Sequence, residues 1–504
     1  MPDRLTTNQG SPVPDNQHSL TAGSRGPTLL GDHHLLEKLA HLNRERIPER
    51  VVGARGAAAF GTFQPVEDLA QYTKAALFTR DRNINVAARF SMFTHSRQAP
   101  ETLRDLRGLA VKFSTSQGNH DLVCGSLPVF FIRDAMKFAD LVHAIKPDPV
   151  TTLTDPARLF DFLSFQPEAT HLLVWLYSDM GIPRSYRHLQ AWSQDTYVWI
   201  NARGTARYVR YQWRPAAGPA YFTAEEAAAM QAKDTNHATR DLYDTLRAGS
   251  PVQFDLLVQL MLPEEQEELA VDALDPTVIW PEQRWPWQRA GRMVLTRAPL
   301  NDFAESEQLA FSPSAVVPGI ELSNDRLLQG RAFAYPDAQR HRLGANYLQL
   351  SVNRPRIGVH NQQQDGLMTS EFASSGVNYE PNAAGEYLQT GEAPSWTPPI
   401  DEPAVTRSAT PLLDDFTQAG ESWRSFSGPQ RVAVIKNLGD ELARVQDQRI
   451  QSTICGFLRR ADAYLGDAVL RRARGELSDL SAVEAELSGP AADDQPSDLE
   501  ATAS

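Results

Sequence analysis

The sequence predicts an α+β protein, in which an antiparallel β-barrel with helical insertions is followed by a separate helical region. Two observations predict this fold class. Between residues 50 and 300, segments such as LAVKFSTS (109–116) and GRMVLTRA (291–298) have the residue types and the period of strands. Beyond residue 427 the apolar residues recur at helical spacing instead. The chain of 504 residues is long enough for roughly two to four domains.

The first 49 residues predict an N-terminal arm. They are rich in turn-forming residues, and one segment, DHHLLEKLAHLNRER (32–46), predicts a short helix. This region lacks the apolar core of a signal peptide, and no apolar run approaches the roughly 20 residues that cross a bilayer. We therefore expect a cytoplasmic protein that does not bind a membrane.

The region from 50 to 300 predicts the barrel. TYVWINARGTARYVRYQW (196–213) alternates around an Asn-Ala-Arg-Gly turn, which is typical of a β-hairpin. Helical segments interrupt the strands at PARLFDFLSF (156–165), TAEEAAAMQA (223–232) and DLYDTLRAG (241–249).

Residues 301–410 contain many prolines and glycines and little periodicity, which predicts an extended connection wrapped over another surface. Residues 411–487 predict a helical domain. In it Ser427 and Gln430 form a capping-box pattern before an apolar stripe. The acidic tail, 488–504, has the composition of a disordered segment.

Composition excludes some classes of protein. The formal net charge of −13 argues against nucleic-acid binding. The two cysteines, Cys124 and Cys455, exclude a disulfide framework and a cysteine-rich metal site. No CxxCH run is present, so a covalently attached c-type haem is not expected.

The most informative run is RAFAYPDAQRHRLG (331–344). RAFAY predicts one or two helical turns that Pro336 stops. Arg331 and Tyr335 then lie four residues apart on one face. A guanidinium beside a phenol stabilises the phenolate, which is a hard anionic ligand suited to ferric iron. Spacing alone favours the simpler interpretation, a core tyrosine hydrogen-bonded to an arginine.

The surrounding motifs change that balance, because the sequence resembles the haem catalases of the monofunctional, small-subunit type. The resemblance extends over nearly the whole chain and rests on motifs in the family's order: LLEKLAHLNRERIPERVV (35–52), RDLRGLAVKFSTSQGNHDLV followed by PVFFIRD (104–134), and RAFAYPDAQRHRLG (331–344). It implies an N-terminal arm, an eight-stranded antiparallel β-barrel, a wrapping connection with the proximal haem ligand and a C-terminal helical domain. It also implies a homotetramer.

The resemblance implies roles for individual residues. Tyr335 would be the axial ligand of the iron of a non-covalent haem b, and Arg331 would hydrogen-bond its phenolate oxygen. Three arginines would bind the haem propionates: Arg50, Arg89 and Arg342. The remaining matches are Val52 and Phe138 on the haem faces, Phe130 and Ser91 in the distal pocket, and Asp105 in the main channel. Many members also bind NADPH, which stays open here because no compact motif supports it.

Two positions depart from the family pattern. Gly53 stands where the family has its distal histidine, and Gly125 stands where it has its distal asparagine. The imidazole moves the proton that peroxide cleavage requires, and the amide orients the peroxide. Positioned acid–base groups contribute about 10²–10⁴-fold to rate. The sequence therefore predicts a widened distal pocket and weak dismutation of hydrogen peroxide.

Four neighbouring residues also differ from the family. Phe93 replaces a small channel residue, and Cys124 replaces a glycine, with a small buried apolar role favoured over a haem-facing thiol. His120 stands at a tryptophan position and is expected to face away from the haem. Asp195 stands where we place a distal-side histidine of the family, and we expect it to be a solvated acid. Two arm histidines are expected at the surface: His33 and His34.

Four hypotheses follow. We favour a haem oxidoreductase acting on a bulkier peroxide or a small metabolite. The first alternative is a catalase that decomposes hydrogen peroxide to water and oxygen, helped by His120, Asp195 or ordered water. The second is a non-catalytic haem-binding homologue. A last one, that Gly53 and Gly125 were introduced into a known catalase, is disfavoured because several neighbouring positions also differ.

Overall fold

The structure is a computed structural model that describes residues 4–66, 68–372, 375–390, 396–397, 407 and 414–488. Within these ranges the chain forms ten β-strands: β1 (Gly56–Pro65), β2 (Ile84–Met92), β3 (Arg107–Thr115), β4 (Gly118–Gly125), β5 (Ala191–Trp192), β6 (Tyr197–Ile200), β7 (Ala206–Pro215), β8 (Val252–Met261), β9 (Gln288–Arg297) and β10 (Ile320–Leu322).

The same ranges contain thirteen α-helices: α1 (His33–Leu42), α2 (Ala76–Thr79), α3 (Phe138–Ile145), α4 (Pro156–Leu163), α5 (Thr170–Tyr177), α6 (Ala224–Lys233), α7 (His237–Arg247), α8 (Arg326–Leu343), α9 (Thr417–Ser425), α10 (Gly428–Leu442), α11 (Gln448–Ala461), α12 (Ala463–Ala473) and α13 (Ser481–Ser488). None of the described helices is both long and apolar enough to cross a membrane.

Eight of the strands close into an antiparallel barrel. Their order is β7-β5-β4-β3-β2-β1-β9-β8, and β8 pairs again with β7, while β6 and β10 extend the sheet from β7. Closure leaves the ring without an open edge. The predicted α+β class and its eight-stranded barrel are confirmed.

The hairpin predicted at residues 196–213 is also confirmed. Tyr197 pairs with Val209, and Ile200 pairs with Ala206, in antiparallel register. The side chain of Asn201 holds the turn, because its Oδ1 accepts hydrogen bonds from the backbone N–H groups of Arg203 and Thr205, both at 2.9 Å.

The barrel strands have two different faces. Their inward side chains, such as Phe113, Trp213 and Phe254, are fully buried in one apolar cluster. Alternate residues on β2 and β4, such as Ser91 and Val123, point away from that cluster and line a cavity. The functional site is therefore on the outside of the barrel wall.

Helix α8 covers this cavity and corrects two predictions. The segment 301–410 is not structureless, since it contains β10 and the 18-residue helix α8. Pro336 does not stop the helix, which continues to Leu343. The helix is anchored at its start by Asp325, whose Oδ1 accepts from Leu327 N at 2.8 Å. One missing N–H at Pro336 does not outweigh these contacts and the packing of the helix on the barrel.

The C-terminal region is helical as predicted. Gln430 Oε1 accepts from the backbone N–H of Ser427 at 3.0 Å, so the capping box before α10 is confirmed. Four residues of the predicted apolar stripe are fully buried: Ile435, Leu438, Leu442 and Val445. Residues 489–504 of the predicted disordered tail lie outside the described residues, as do parts of the proline-rich segment 301–410, and the domain boundaries stay a prediction.

Candidate active site

A cavity of about 530 Å³ lies between the outer wall of the barrel, the segment before β1 and helix α8. The predicted site residues that line it come from five separate parts of the chain: Arg50, Val52, Gly53, Arg89, Ser91, Gly125, Phe130, Phe138, Arg331, Tyr335 and Arg342. The structure thus brings together every predicted site residue except Asp105.

On the α8 side of the cavity, Tyr335 is held by an arginine. Arg331 Nη2 lies 3.1 Å from the phenol oxygen of Tyr335 and can donate to it, as the spacing of four residues predicted. The same guanidinium donates through Nη1 to the carboxylate of Asp195. The two acidic partners, first Asp195 and then Tyr335, raise the pKa of Arg331 above its usual value despite burial. A permanent positive charge therefore faces the phenol oxygen.

The position of Asp195 was predicted wrongly. Its side chain is completely buried rather than solvated, and it lies against Arg331 on the tyrosine side. Asp325, the residue that caps α8, is a second buried carboxyl nearby. Burial, and then the charge of Asp195, raise the pKa of Asp325 to about 8. Asp195 is therefore part of the support of Tyr335, and not a proton carrier facing a distal ligand.

Three arginines surround one end of the cavity, and one carboxylate faces them. Glu307 Oε1 lies 2.9 Å from Nη2 of Arg342 and 3.4 Å from Nη1 of Arg50. Arg89 donates to the carbonyl oxygens of Gly53 and Ala54. Burial, and then the charges of Arg89 and Arg342, lower the pKa of Arg50 well below its usual value. Positive charge is in excess here, which favours binding of an anion.

This arginine cluster fits a haem. Among the described residues, no acceptor forms a hydrogen bond with the buried Nε of Arg89, and the buried Nη1 of Arg50 has only the 3.4 Å ion pair with Glu307. Buried donors without a hydrogen bond are costly unless an anion accepts from them. Two propionates would supply those acceptors, while Tyr335 would offer its phenol oxygen to iron. The residues present therefore fit the group that the sequence predicted.

The opposite side of the cavity consists mostly of small residues and apolar residues. Gly53 has φ of +75°, and its N–H donates to the carbonyl of Phe93 at 2.8 Å. Ser91 Oγ is the side-chain atom nearest to where a Cβ at position 53 would lie, at 3.3 Å. Phe93 packs edge-on against Phe130 with ring centroids 5.8 Å apart. Neither glycine provides a group that transfers a proton.

The remaining candidates for a distal base are elsewhere. His120 is buried against Phe113, and burial lowers its pKa to about 4, so it is not the distal base. Its ring nitrogen Nδ1 lies 3.0 Å from the carbonyl oxygen of Ala315. His33 and His34 contact Glu37 and Asn16 within the arm.

Two further predicted residues have structural partners. Asp105 does not line the cavity, and its carboxylate accepts from the backbone N–H groups of Phe93 and Thr94. Cys124 packs in the core cluster of the barrel and also borders the cavity, and burial raises the pKa of its thiol. This placement fits the small buried apolar role that the sequence favoured.

Sequence reasoning missed several polar residues that line the cavity, among them Gln194, His143 and His341. The two histidines are exposed. Gln194 is buried and comes from the segment after β5, which pairs with the end of β4. No local pattern marks a glutamine whose position depends on pairing of strands so distant in sequence.

Comparison with known proteins identifies the family. The sequence model described as "Catalase" matches residues 6–386, and that described as "Catalase-related immune-responsive" matches residues 409–472. A catalase of Listeria seeligeri is 45% identical over 453 residues, which is 89% of this chain and 92% of that protein. Catalase-1 of Arabidopsis thaliana is 44% identical over 471 residues, which is 93% of this chain and 95% of that protein.

Solved structures agree with the sequence comparison. A bacterial catalase structure superimposes with a TM-score of 0.90 at 34% identity, over 94% of this chain and 96% of that one. A fungal catalase structure superimposes with a TM-score of 0.88 at 33% identity, over 94% of this chain and 97% of that one. The chain belongs to the catalase family. It is an oxidoreductase of that family, and membership implies a haem cofactor.

The names of these relatives bear on the competing hypotheses. Curated relatives similar over most of the chain are called catalase. They support the alternative, decomposition of hydrogen peroxide, better than the expectation of a changed substrate. They do not test the roles of individual residues, which stay predictions.

Proposed function

We propose that the chain is a haem b oxidoreductase in which Tyr335 would hold the ferric iron and the distal pocket accepts a bulkier peroxide or a small metabolite. One observation carries this proposal. Gly53 and Gly125 border one cavity whose holding residues, Tyr335 and the arginines, are all present. In this proposal the pocket is widened beside Gly53 without loss of the groups that would hold haem.

The chain's own residues have distinct tasks in this proposal. When bound, haem supplies an iron centre at which a peroxide O–O bond can be cleaved. Arg331 stabilises the negative charge on the oxygen of Tyr335 and is itself held by Asp195. Arg50, Arg89 and Arg342 bind the propionates. The proton that cleavage requires comes from the substrate or from water, because position 53 has no imidazole.

Decomposition of hydrogen peroxide is the second candidate, and the names of the relatives favour it. The two candidates differ in rate. A distal acid–base group contributes about 10²–10⁴-fold, so its loss predicts slow oxygen release. NADPH binding and a homotetramer are further expectations from the family resemblance.

Oxygen release distinguishes the two. The haem-loaded protein and a relative with the distal histidine are given hydrogen peroxide in an oxygen electrode, at equal haem concentration. We expect release at least about 100-fold slower than by the relative. Turnover within tenfold of the relative would establish the catalase candidate instead.

Pocket size is measured separately. Imidazole and a phenyl-substituted imidazole are titrated into the ferric protein, and the haem absorption band is followed. We expect both to shift the band, because Gly53 leaves room beside the iron. If only cyanide and azide bind, the pocket is not widened, and a bulky substrate is excluded. If neither hydrogen peroxide nor an organic hydroperoxide with an electron donor reacts, the protein is a haem-binding homologue without catalysis.

A further inference from the structure

We propose that Gln194 supplies the distal amide that position 125 lacks, and that it orients a peroxide or another polar ligand in the cavity. This inference rests on the proposed function, because it concerns the same haem pocket. In this inference the distal side does have an amide, and that amide comes from residue 194 instead of residue 125.

Geometry at Gly125 carries the inference. A Cβ built on Gly125 would lie 2.4 Å from Nε2 of Gln194, 3.0 Å from Cδ and 3.1 Å from Oε1. The carboxamide of Gln194 therefore occupies the space into which a side chain at position 125 would extend. An asparagine at 125 would force the amide of Gln194 to move from this position. The glycine at 125 thus leaves room for the amide of Gln194.

The fold determines where this amide lies. Gly125, the last residue of β4, pairs with Trp192 of β5, and Gln194 follows two residues later. Gln194 is 3% exposed, and Nε2 donates to the carbonyl oxygen of Leu127 at 2.9 Å. That bond restricts the orientation of the amide plane.

The bond to Leu127 uses only part of the capacity of the amide. A carboxamide has two N–H donors and an acceptor oxygen, so a second donor and the oxygen exist besides this bond. Gln194 is among the residues that line the cavity. Its amide can therefore both donate to and accept from a polar ligand. A peroxide has both donor and acceptor oxygens, which matches this group.

Adjacent residues of the chain serve the two sides of the cavity. Gln194 borders Gly125, while the next residue, Asp195, binds Arg331 behind Tyr335. The short segment after β5 thus contributes both to the support of the iron ligand and to the distal pocket. A change in this segment would affect both sides.

Spectroscopy of ligand complexes tests the inference without any turnover. Gln194→Leu and wild type are loaded with haem, and two properties are measured: cyanide affinity of the ferric form, and the C–O stretching frequency of the ferrous carbon monoxide complex. We expect Gln194→Leu to bind cyanide about three- to tenfold more weakly, the effect of one lost hydrogen bond. The C–O frequency should move toward that of an apolar pocket.

Gln259→Leu is the matched control. Gln259 is 1% exposed, and its Nε2 donates to the carbonyl of Trp285 at 2.6 Å, so its loss also removes a buried amide bond. Gln259 is not among the residues lining the cavity. We expect this variant to lose stability without changing the C–O frequency or cyanide affinity.

A second variant protects the test against misfolding of Gln194→Leu. In Gly125→Asn/Gln194→Ser the amide returns to β4, and cyanide affinity should be within about threefold of wild type. If cyanide affinity and the C–O frequency are unchanged in Gln194→Leu, Gln194 does not face the ligand and the inference is wrong. Failure of the wild type to bind haem would instead refute the proposed function.

Discussion

The two sides of the cavity differ in how their polar groups are held. On the α8 side, Tyr335, Arg331 and Asp195 form a continuous chain of contacts, and no member is free to move alone. On the opposite side, Gly53 and Gly125 contribute only backbone. A buried charge is costly unless each partner is present, whereas an uncharged distal group can be exchanged with little effect on folding. We call the α8 side, with Tyr335, Arg331 and Asp195, the holding side, and the side with Gly53 and Gly125 the reactive side. The holding side can therefore persist while the reactive side changes.

The largest effect is expected when the holding side is broken at the iron ligand. Tyr335→Phe removes the phenol oxygen but keeps the ring, so we expect haem affinity to fall by at least about 100-fold. Haem titration of the apoprotein, followed by absorbance, measures this. Tyr347→Phe, a buried tyrosine outside the cavity lining, is the control and should bind haem normally. Normal haem affinity in Tyr335→Phe would mean that another residue ligates the iron.

The next effect comes from restoring the reactive side. Gly53→His/Gly125→Asn/Gln194→Ser should raise oxygen release from hydrogen peroxide by about 10²–10⁴-fold, because a distal acid–base group is regained. The third change is needed because an asparagine Cβ would meet the amide of Gln194. Oxygen-electrode rates at equal haem content measure the gain.

The same restoration should reduce stability. Position 53 has φ of +75°, a conformation that costs a side-chain residue about 1–3 kcal/mol. Gly53→Ala is the matched control, since it has the same backbone strain without the imidazole. If Gly53→Ala gained as much oxygen release as the restored variant, the imidazole would not be the cause.

The sequence predicted the contacts within helix α8 better than the contacts between distant segments. The relation of Arg331 to Tyr335 follows from helical spacing, and the hydrogen bond between them confirms it. Gln194 and Asp195 could not be placed, because their positions depend on pairing of β5 with β4 and on packing of α8. Pro336 misled the prediction, since local propensity did not reveal that tertiary contacts hold the helix through it.

Asp195→Asn should weaken the holding side without removing the iron ligand. Asp195 is fully buried, and removing one partner of a buried ion pair lowers the free energy of unfolding by about 3–5 kcal/mol. Thermal unfolding of the apoprotein measures this loss. Asp302→Asn is the control: its pair with Arg97 is exposed, so a loss of less than about 1 kcal/mol is expected. Equal losses in the two variants would show that Asp195 is not energetically coupled to Arg331.

The smallest effect concerns the pH dependence of the holding side. Burial, and then the charge of Asp195, raise the pKa of Asp325 from 3.8 to about 8. An acid whose pKa is higher in the folded protein binds more protons when folded, so its contribution to stability is complete below about pH 4. That contribution is lost progressively as the pH rises to about 8, and the loss then levels off.

Asp325→Asn isolates this contribution, because asparagine resembles the protonated acid and does not titrate. The difference in Tm between Asp325→Asn and wild type should therefore move in favour of the variant as pH rises from 5 to 8. Asp81→Asn, at a partly exposed position, is the control for the substitution itself. A constant difference between Asp325→Asn and wild type would mean that the carboxyl of Asp325 does not titrate in this range.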